Sequence, residues 1–192
     1  MPHIHCFPPI EDAGARILIL GSMPGKESLR AGQYYAHRRN AFWNIMGELI
    51  GAAPSLSYES RTRILKSAGI ALWDVLASCT RDGSLDSAID SASTAPNDFA
   101  SFFSTHPGIT QVFFNGAVAE KCFRSLVQRS LEPRLLNYQR LPSTSPANAA
   151  MSYQQKLKAW EAVAHAIKFH AASSGRANAP GTPAKTARRT AP

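Results

Sequence analysis

Apolar positions along the chain follow two rhythms, short unbroken runs and recurrences every three to four residues, and their alternation predicts strands alternating with helices. Residues 16–21 hold the aliphatic run Ile17, Leu18, Ile19, Leu20 closed by Gly21, which predicts a strand covered on both faces. From Ala41, the positions Phe42, Ile45, Met46, Leu49 and Ile50 recur at helical spacing, and Gly51 terminates them. Ser57 opens a second helix through Ile64 and Leu65, closed by Gly69. Residues 70–76, IALWDVL, form the next expected strand. Residues 77–96 are polar and turn-rich and are expected as loop, with a helical turn over 86–89.

Asn97 is expected to cap a helix carrying Phe99, Phe102 and Phe103, ended by Pro107 and Gly108. QVFF over 111–114 then predicts a strand entering a helix whose inward stripe is Val118, Cys122, Phe123 and Leu126. A half-polar strand is expected over 135–141, followed by the loop LPSTSPAN. Ser152 with Gln155 forms a capping box, and Tyr153, Leu157, Trp160, Val163 and Ile167 share one face of the helix it opens. The fold class expected is α/β: a three-layer α/β/α sandwich with a central, mainly parallel, roughly four-stranded sheet.

Length favours one domain over residues 1–170. Residues 171–192, rich in Ala, Pro, Thr, Ser and Gly, are expected as a disordered basic tail. Arg176, Lys185, Arg188 and Arg189 give that tail +4 of the total +8, so the domain and the tail are both basic. Such a balance suits a nucleic-acid partner through its phosphates. Cys6, Cys79 and Cys122 lie far apart with no C-x-x-C pair, which points to neither a disulfide framework nor a metal site. The chain has no apolar run of about 18 residues. It is therefore expected to be soluble, with no membrane association, in a reducing bacterial-type cytosol or nucleoid.

The stretch GSMPGKESLRAGQYYAHRRNAFW over 21–43 carries the candidate chemistry. It leaves the carboxyl end of a strand, where free backbone N–H groups commonly meet a ligand. A P-loop reading fails, because Gly21 and Gly25 are only three residues apart and Lys26 is followed by Glu27 rather than Ser or Thr.

GSMPG after a strand, then YYAHRRNAFW, and later LPSTSPAN before a helix resemble the first and last motifs of the uracil-DNA glycosylase superfamily, most closely its hypoxanthine-DNA glycosylase branch. The resemblance runs through LWDVLASCTRDGSLDS and FFNGAVAE, over about residues 15–168. It implies a cofactor-independent, metal-free, monofunctional glycosylase, a monomer acting on DNA that contains a deaminated base. Hypoxanthine is expected first and uracil second. A catalytically inactive nucleic-acid-binding module of the same fold is the alternative.

The resemblance also assigns roles. Mismatch-specific relatives carry a catalytic asparagine where this chain has Met23, and a thioether cannot orient water. Hypoxanthine-type members resemble this chain in placing the asparagine after the Tyr-Ala-His segment, which makes Asn40 the catalytic candidate. The competing reading is that Asn40 caps the helix that follows, and the two are compatible. Ser22, Met23, Tyr35 and Asn115 are the base-binding candidates: backbone N–H groups at Ser22 and Met23, a stacking ring at Tyr35, an amide edge at Asn115. His37, Arg38, Arg39, Ser143, Thr144, Ser145 and Pro146 are the DNA-contact candidates. Arg38 departs from the family, which often has proline after this histidine. Asp74 and Asp82 are possible acids, with capping equally open.

Overall fold

The structure is a computed structural model that describes residues 2–177. Its first strand, β1 (His3–His5), belongs to a small sheet, and β2 (Ile17–Gly21) starts the central one. All five residues of β2 are buried, as expected of an aliphatic strand covered on both faces. A short helix, α1 (Lys26–Ala31), which the apolar pattern did not signal, ends at Gly32. Then come α2 (Phe42–Ile50) and α3 (Tyr58–Ser67), the latter capped by Ser57, whose hydroxyl accepts from the Ser60 N–H.

After α3 the chain enters β3 (Ile70–Asp74), again buried throughout. Here the expectation of one strand over 70–76 and a loop over 77–96 is corrected. The central strand stops at Asp74, and the chain runs through β4 (Leu76–Arg81) and β5 (Ile89–Pro96) as an antiparallel pair. Strand order in this second sheet is β1-β4-β5. Half of the β5 residues are exposed Asp, Ser or Ala and none of the eight is buried, so no apolar alternation announces it.

The cap of α4 (Phe99–Thr105) is Asp98, which accepts from the Ser101 N–H, not Asn97. Asn97 instead donates from Nδ2 to the Asp74 carbonyl at 2.8 Å. Next come β6 (Gln111–Asn115), α5 (Ala117–Leu126), β7 (Asn137–Leu141) and α6 (Tyr153–Ala177). In α5 the buried residues are Ala119 and Phe123, while Leu126 is exposed, which corrects the outer part of the expected stripe. The capping box of α6 is formed: Ser152 N–H donates to Gln155 Oε1 at 2.8 Å, and Gln155 N–H to Ser152 Oγ at 3.3 Å. Residues 171–177, placed in the tail by the sequence, continue α6, and 178–192 lie outside the described residues.

The central sheet has the order β3-β2-β6-β7, every neighbouring pair parallel. From β2 the chain first moves outward to β3, then returns to the other side of β2 for β6 and β7. Strand order therefore reverses between β2 and β6. In an open parallel sheet the crevice at the carboxyl ends of such a strand pair is the usual ligand site. No helix among the described residues is long and apolar enough to cross a membrane.

Candidate active site

A cavity of about 750 Å³ opens at this switch point, within the ~300–1,000 Å³ typical of small-molecule sites. The turn after β2, the segment before α2, the end of β6 and the loop over 142–148 all line it, so motifs separated by a hundred residues meet in one space. Among the residues singled out by sequence, Ser22, Met23, Tyr35, His37, Asn40, Asn115, Ser143, Thr144, Ser145 and Pro146 line it. Arg38 and Arg39 do not; both are exposed beside the mouth.

The turn after β2 is fixed by β3 and β4. Val75 N–H donates to the Gly21 carbonyl at 2.9 Å and Leu76 N–H to the Ser22 carbonyl at 3.2 Å. In a trans peptide the N–H points opposite the C=O, so the N–H groups of Ser22 and Met23 turn away from those strands, toward the β6 side of the crevice. A short network reinforces the turn. Ser22 Oγ donates to Asp86 at 2.8 Å, and buried Arg81 donates to the Pro24 carbonyl while its guanidinium lies 3.9 Å from Asp86. Sequence reading missed both Arg81 and Asp86, because they come from the stretch expected as loop. Met23 is buried against Leu76 and Cys79, so it packs the turn from behind.

Tyr35 is the one non-glycine residue with positive φ among the described residues, at 54°. That strained conformation lays its ring on Phe42, with centroids 4.1 Å apart and planes at 26°. Its hydroxyl is buried and unpartnered, and burial above all pushes its pKa well above the usual phenol value. Tyr34, also in the lining, is buried and packed, its hydroxyl donating to the carbonyls of Phe7 and Pro8. Arg39 N–H donates to His37 Nδ1 at 3.1 Å, which leaves Nε2 to carry the proton of the neutral ring.

Asn40 accepts from the Phe42 N–H at 3.0 Å through Oδ1, so it does support the start of α2. A carboxamide oxygen has a second lone pair, and Asn40 also lines the cavity, so supporting α2 does not use up its acceptor capacity.

Asn115 departs from expectation. Its Nδ2 donates to Thr144 Oγ1 at 2.9 Å and its Oδ1 accepts from Thr144 N–H at 2.9 Å, so one N–H and one lone pair of this cavity-lining amide are engaged by the 142–148 loop. Thr144 is correspondingly buried, and its hydroxyl is no surface contact for a phosphate. The Thr144 carbonyl accepts from Ala41 N–H at 3.0 Å, the Pro142 carbonyl from Trp160 Nε1 at 2.9 Å and the Ser145 carbonyl from Lys156 Nζ at 3.3 Å. The loop also presses on Gly116, where φ is +100° and a Cβ would lie 2.9 Å from that of Ser143. Ser143, Ser145 and Pro146 remain at the cavity edge.

Of the two possible acids, Asp82 is exposed and pairs with Lys26 at 3.8 Å, outside the cavity lining. Asp74 lies inside it, 3% exposed, with Oδ2 buried and unpartnered. Burial first, and then the Asp86 charge, push its carboxyl up to about 8, with Arg81 opposing. Asp86 is also raised by burial, against the Ser22 hydrogen bond and Arg81. Among the described residues no group of His, Cys, Asp and Glu is arranged to hold a metal ion.

Residues 8–164 match the family model described as the uracil DNA glycosylase superfamily. A protein of Methanosarcina acetivorans named hypoxanthine DNA glycosylase is 37% identical over 158 residues, 82% of this chain and 95% of that one. One of the same name from Methanosarcina barkeri is 40% identical over 111 residues, 57% of this chain and 69% of that one. The solution NMR structure of a provisional uracil DNA glycosylase from Methanosarcina acetivorans superposes with a TM-score of 0.70 at 34% identity, covering 87% of this chain and 99% of the other.

Proposed function

The chain belongs to the uracil DNA glycosylase superfamily, and we propose that its substrate is DNA carrying a deaminated base, hypoxanthine first and uracil second. It is a DNA repair glycosylase; the alternative of an inactive binding module is not favoured, because both named relatives are enzymes. The observation that carries the substrate reading is the convergence of Asn40, Tyr35 and the Ser22–Met23 peptide on one cavity large enough for a purine.

In this reading the target nucleotide leaves the duplex and its base enters the crevice, stacking on the Tyr35 face that Phe42 does not cover. As the bond from the sugar to the base lengthens, positive charge grows on the sugar and negative charge on the base. The N–H groups of Ser22 and Met23 receive that negative charge, with the His37 Nε2–H as a further donor. Asn40 holds the attacking water through the free lone pair of Oδ1. A neutral amide positions water rather than deprotonating it, which suffices where the sugar cation is the stronger partner.

Outside the cavity, Arg38 and Arg39 hold phosphates flanking the extruded nucleotide, and Ser143, Ser145 and Pro146 meet the strand. Asn115 and Thr144 serve by shaping the loop. The protein works as a monomer in a bacterial-type cytosol or nucleoid and needs no metal or cofactor.

The test is a panel of oligonucleotides containing hypoxanthine, uracil or undamaged bases, assayed for release of the free base. Release of hypoxanthine faster than uracil, with undamaged bases retained, is expected; binding without release from any of them would contradict the proposal.

A further inference from the structure

We propose that Asp74 is the acid of this site, its neutral carboxyl giving a proton to the departing base as the bond to the sugar breaks. The inference rests on the glycosylase reading above and deepens it.

The carboxyl stands at the carboxyl end of β3, inside the cavity lining, and its Oδ2 is buried with no partner in the protein. Buried polar atoms are almost always paired, and an orphan oxygen on a carboxyl in the wall of a cavity calls for an explanation, a catalytic role among them. Asn97 donates to the backbone carbonyl of Asp74 and not to its carboxyl. Gly21 makes the room: a Cβ there would lie 2.3 Å from Asp74 Oδ1 and 3.0 Å from the Tyr35 hydroxyl. The carboxyl and the proposed stacking ring thus share the space above one missing side chain.

An ionised carboxylate at this spot would oppose the reaction, since the base gains negative charge as it leaves. A neutral one assists it. Burial and the neighbouring Asp86 raise its pKa and so favour the neutral form. The groups in electrostatic reach are Asp86 from the 86–88 turn, Arg81 from β4, Tyr34 and Tyr35 before α2, Tyr58 of α3 and Cys6 of the amino-terminal segment. Of these only Arg81 favours the ionised form, and it is shared with Asp86 and the Pro24 carbonyl.

The step balances without a further reagent. The bond from sugar C1′ to the base breaks with its electron pair passing to the base, and the Asp74 proton moves to a ring nitrogen, so the base departs neutral. Water held by Asn40 adds to C1′ and releases its proton to solvent, and Asp74 recovers one from solvent. Asp74→Asn keeps the shape and a hydrogen-bond donor but has no proton to transfer.

Single-turnover excision from a hypoxanthine-containing duplex, followed from about pH 6 to about pH 9 for the wild type and for Asp74→Asn, is the experiment. The wild-type rate should fall above about pH 8 as Asp74 ionises. Asp74→Asn should be slower by about 10²-fold, with that falling limb gone and its near-ultraviolet circular dichroism unchanged. A level wild-type profile overturns the assignment. So does a limb that persists in Asp74→Asn, as ionisation of the base itself would produce; either result leaves the glycosylase reading standing. No release of base by the wild type at any pH removes that reading and the assignment with it.

Discussion

Asn115 and Thr144 hold each other at two points: Nδ2 donates to Oγ1 and the Thr144 N–H donates back to Oδ1, both at 2.9 Å. This pair ties the end of β6 to the last motif, so the loop that meets the cavity is anchored to the strand beside the switch point. Asn115→Ala leaves a buried N–H and hydroxyl without partners, at about 1–3 kcal/mol each. Chemical unfolding should show that loss, and excision should slow because the cavity wall is no longer held. Thr144→Ser keeps both hydrogen bonds and should stay near wild type; equal loss in both variants would contradict the clamp.

Asn40 has two jobs in this account, and substitution separates them. Ser accepts a hydrogen bond at a helix start about as well as Asn. Asn40→Ser should therefore unfold near the wild-type temperature while excision falls by about 10²-fold, since a short hydroxyl does not reach the water. Full activity in Asn40→Ser would leave Asn40 a purely structural residue.

Gly21→Ala places a methyl 2.3 Å from Asp74 Oδ1 and 3.0 Å from the Tyr35 hydroxyl, so the buried Asp74 must shift to admit it. Overpacking of this kind costs about 1–3 kcal/mol. Thermal unfolding should fall accordingly, and excision should drop more than with Gly32→Ala, since nothing lies within 4 Å of the corresponding position at Gly32. Unchanged excision by Gly21→Ala would show that the cavity floor tolerates what this packing forbids.

The Asp74 carboxyl also links stability to pH. Its pKa rises from 3.8 to about 8 on folding, so the folded chain holds a proton that the unfolded chain has lost over that window. Its contribution is fully present below the unfolded value and is lost as pH rises through about 8. Denaturant midpoints for Asp74→Asn should exceed those of the wild type, with a gap that widens from about pH 5 to about pH 8. A gap that does not change with pH would contradict a neutral buried carboxyl.

The central sheet was legible because Ile17 to Leu20 and the run from Ile70 are buried on both faces and so appear as unbroken apolar stretches. The helix caps at Ser57 and Ser152 were legible for a local reason, since their partners lie three residues on. The second sheet was not, because β5 buries little and its Ser, Thr and Ala carry no apolar rhythm. The motifs, far apart in sequence, supply residues to one cavity wall. They could not show that Thr144 engages the Asn115 amide, or that Asp74 Oδ2 lacks a partner, because both facts depend on residues distant in sequence. Asp86 illustrates the same limit, since its bond to Ser22 spans 64 positions.

The central claim, that this cavity receives an extruded hypoxanthine, is tested most directly by determining the structure of the protein on a duplex whose hypoxanthine nucleotide carries a 2′-fluorine, which disfavours the sugar cation and blocks hydrolysis. The account predicts the base inside the cavity, stacked on Tyr35, with a ring atom in hydrogen-bond reach of Asp74 and a water between Asn40 and C1′. A hypoxanthine that stays stacked in the duplex, or that sits at another surface while this cavity holds only solvent, would contradict it.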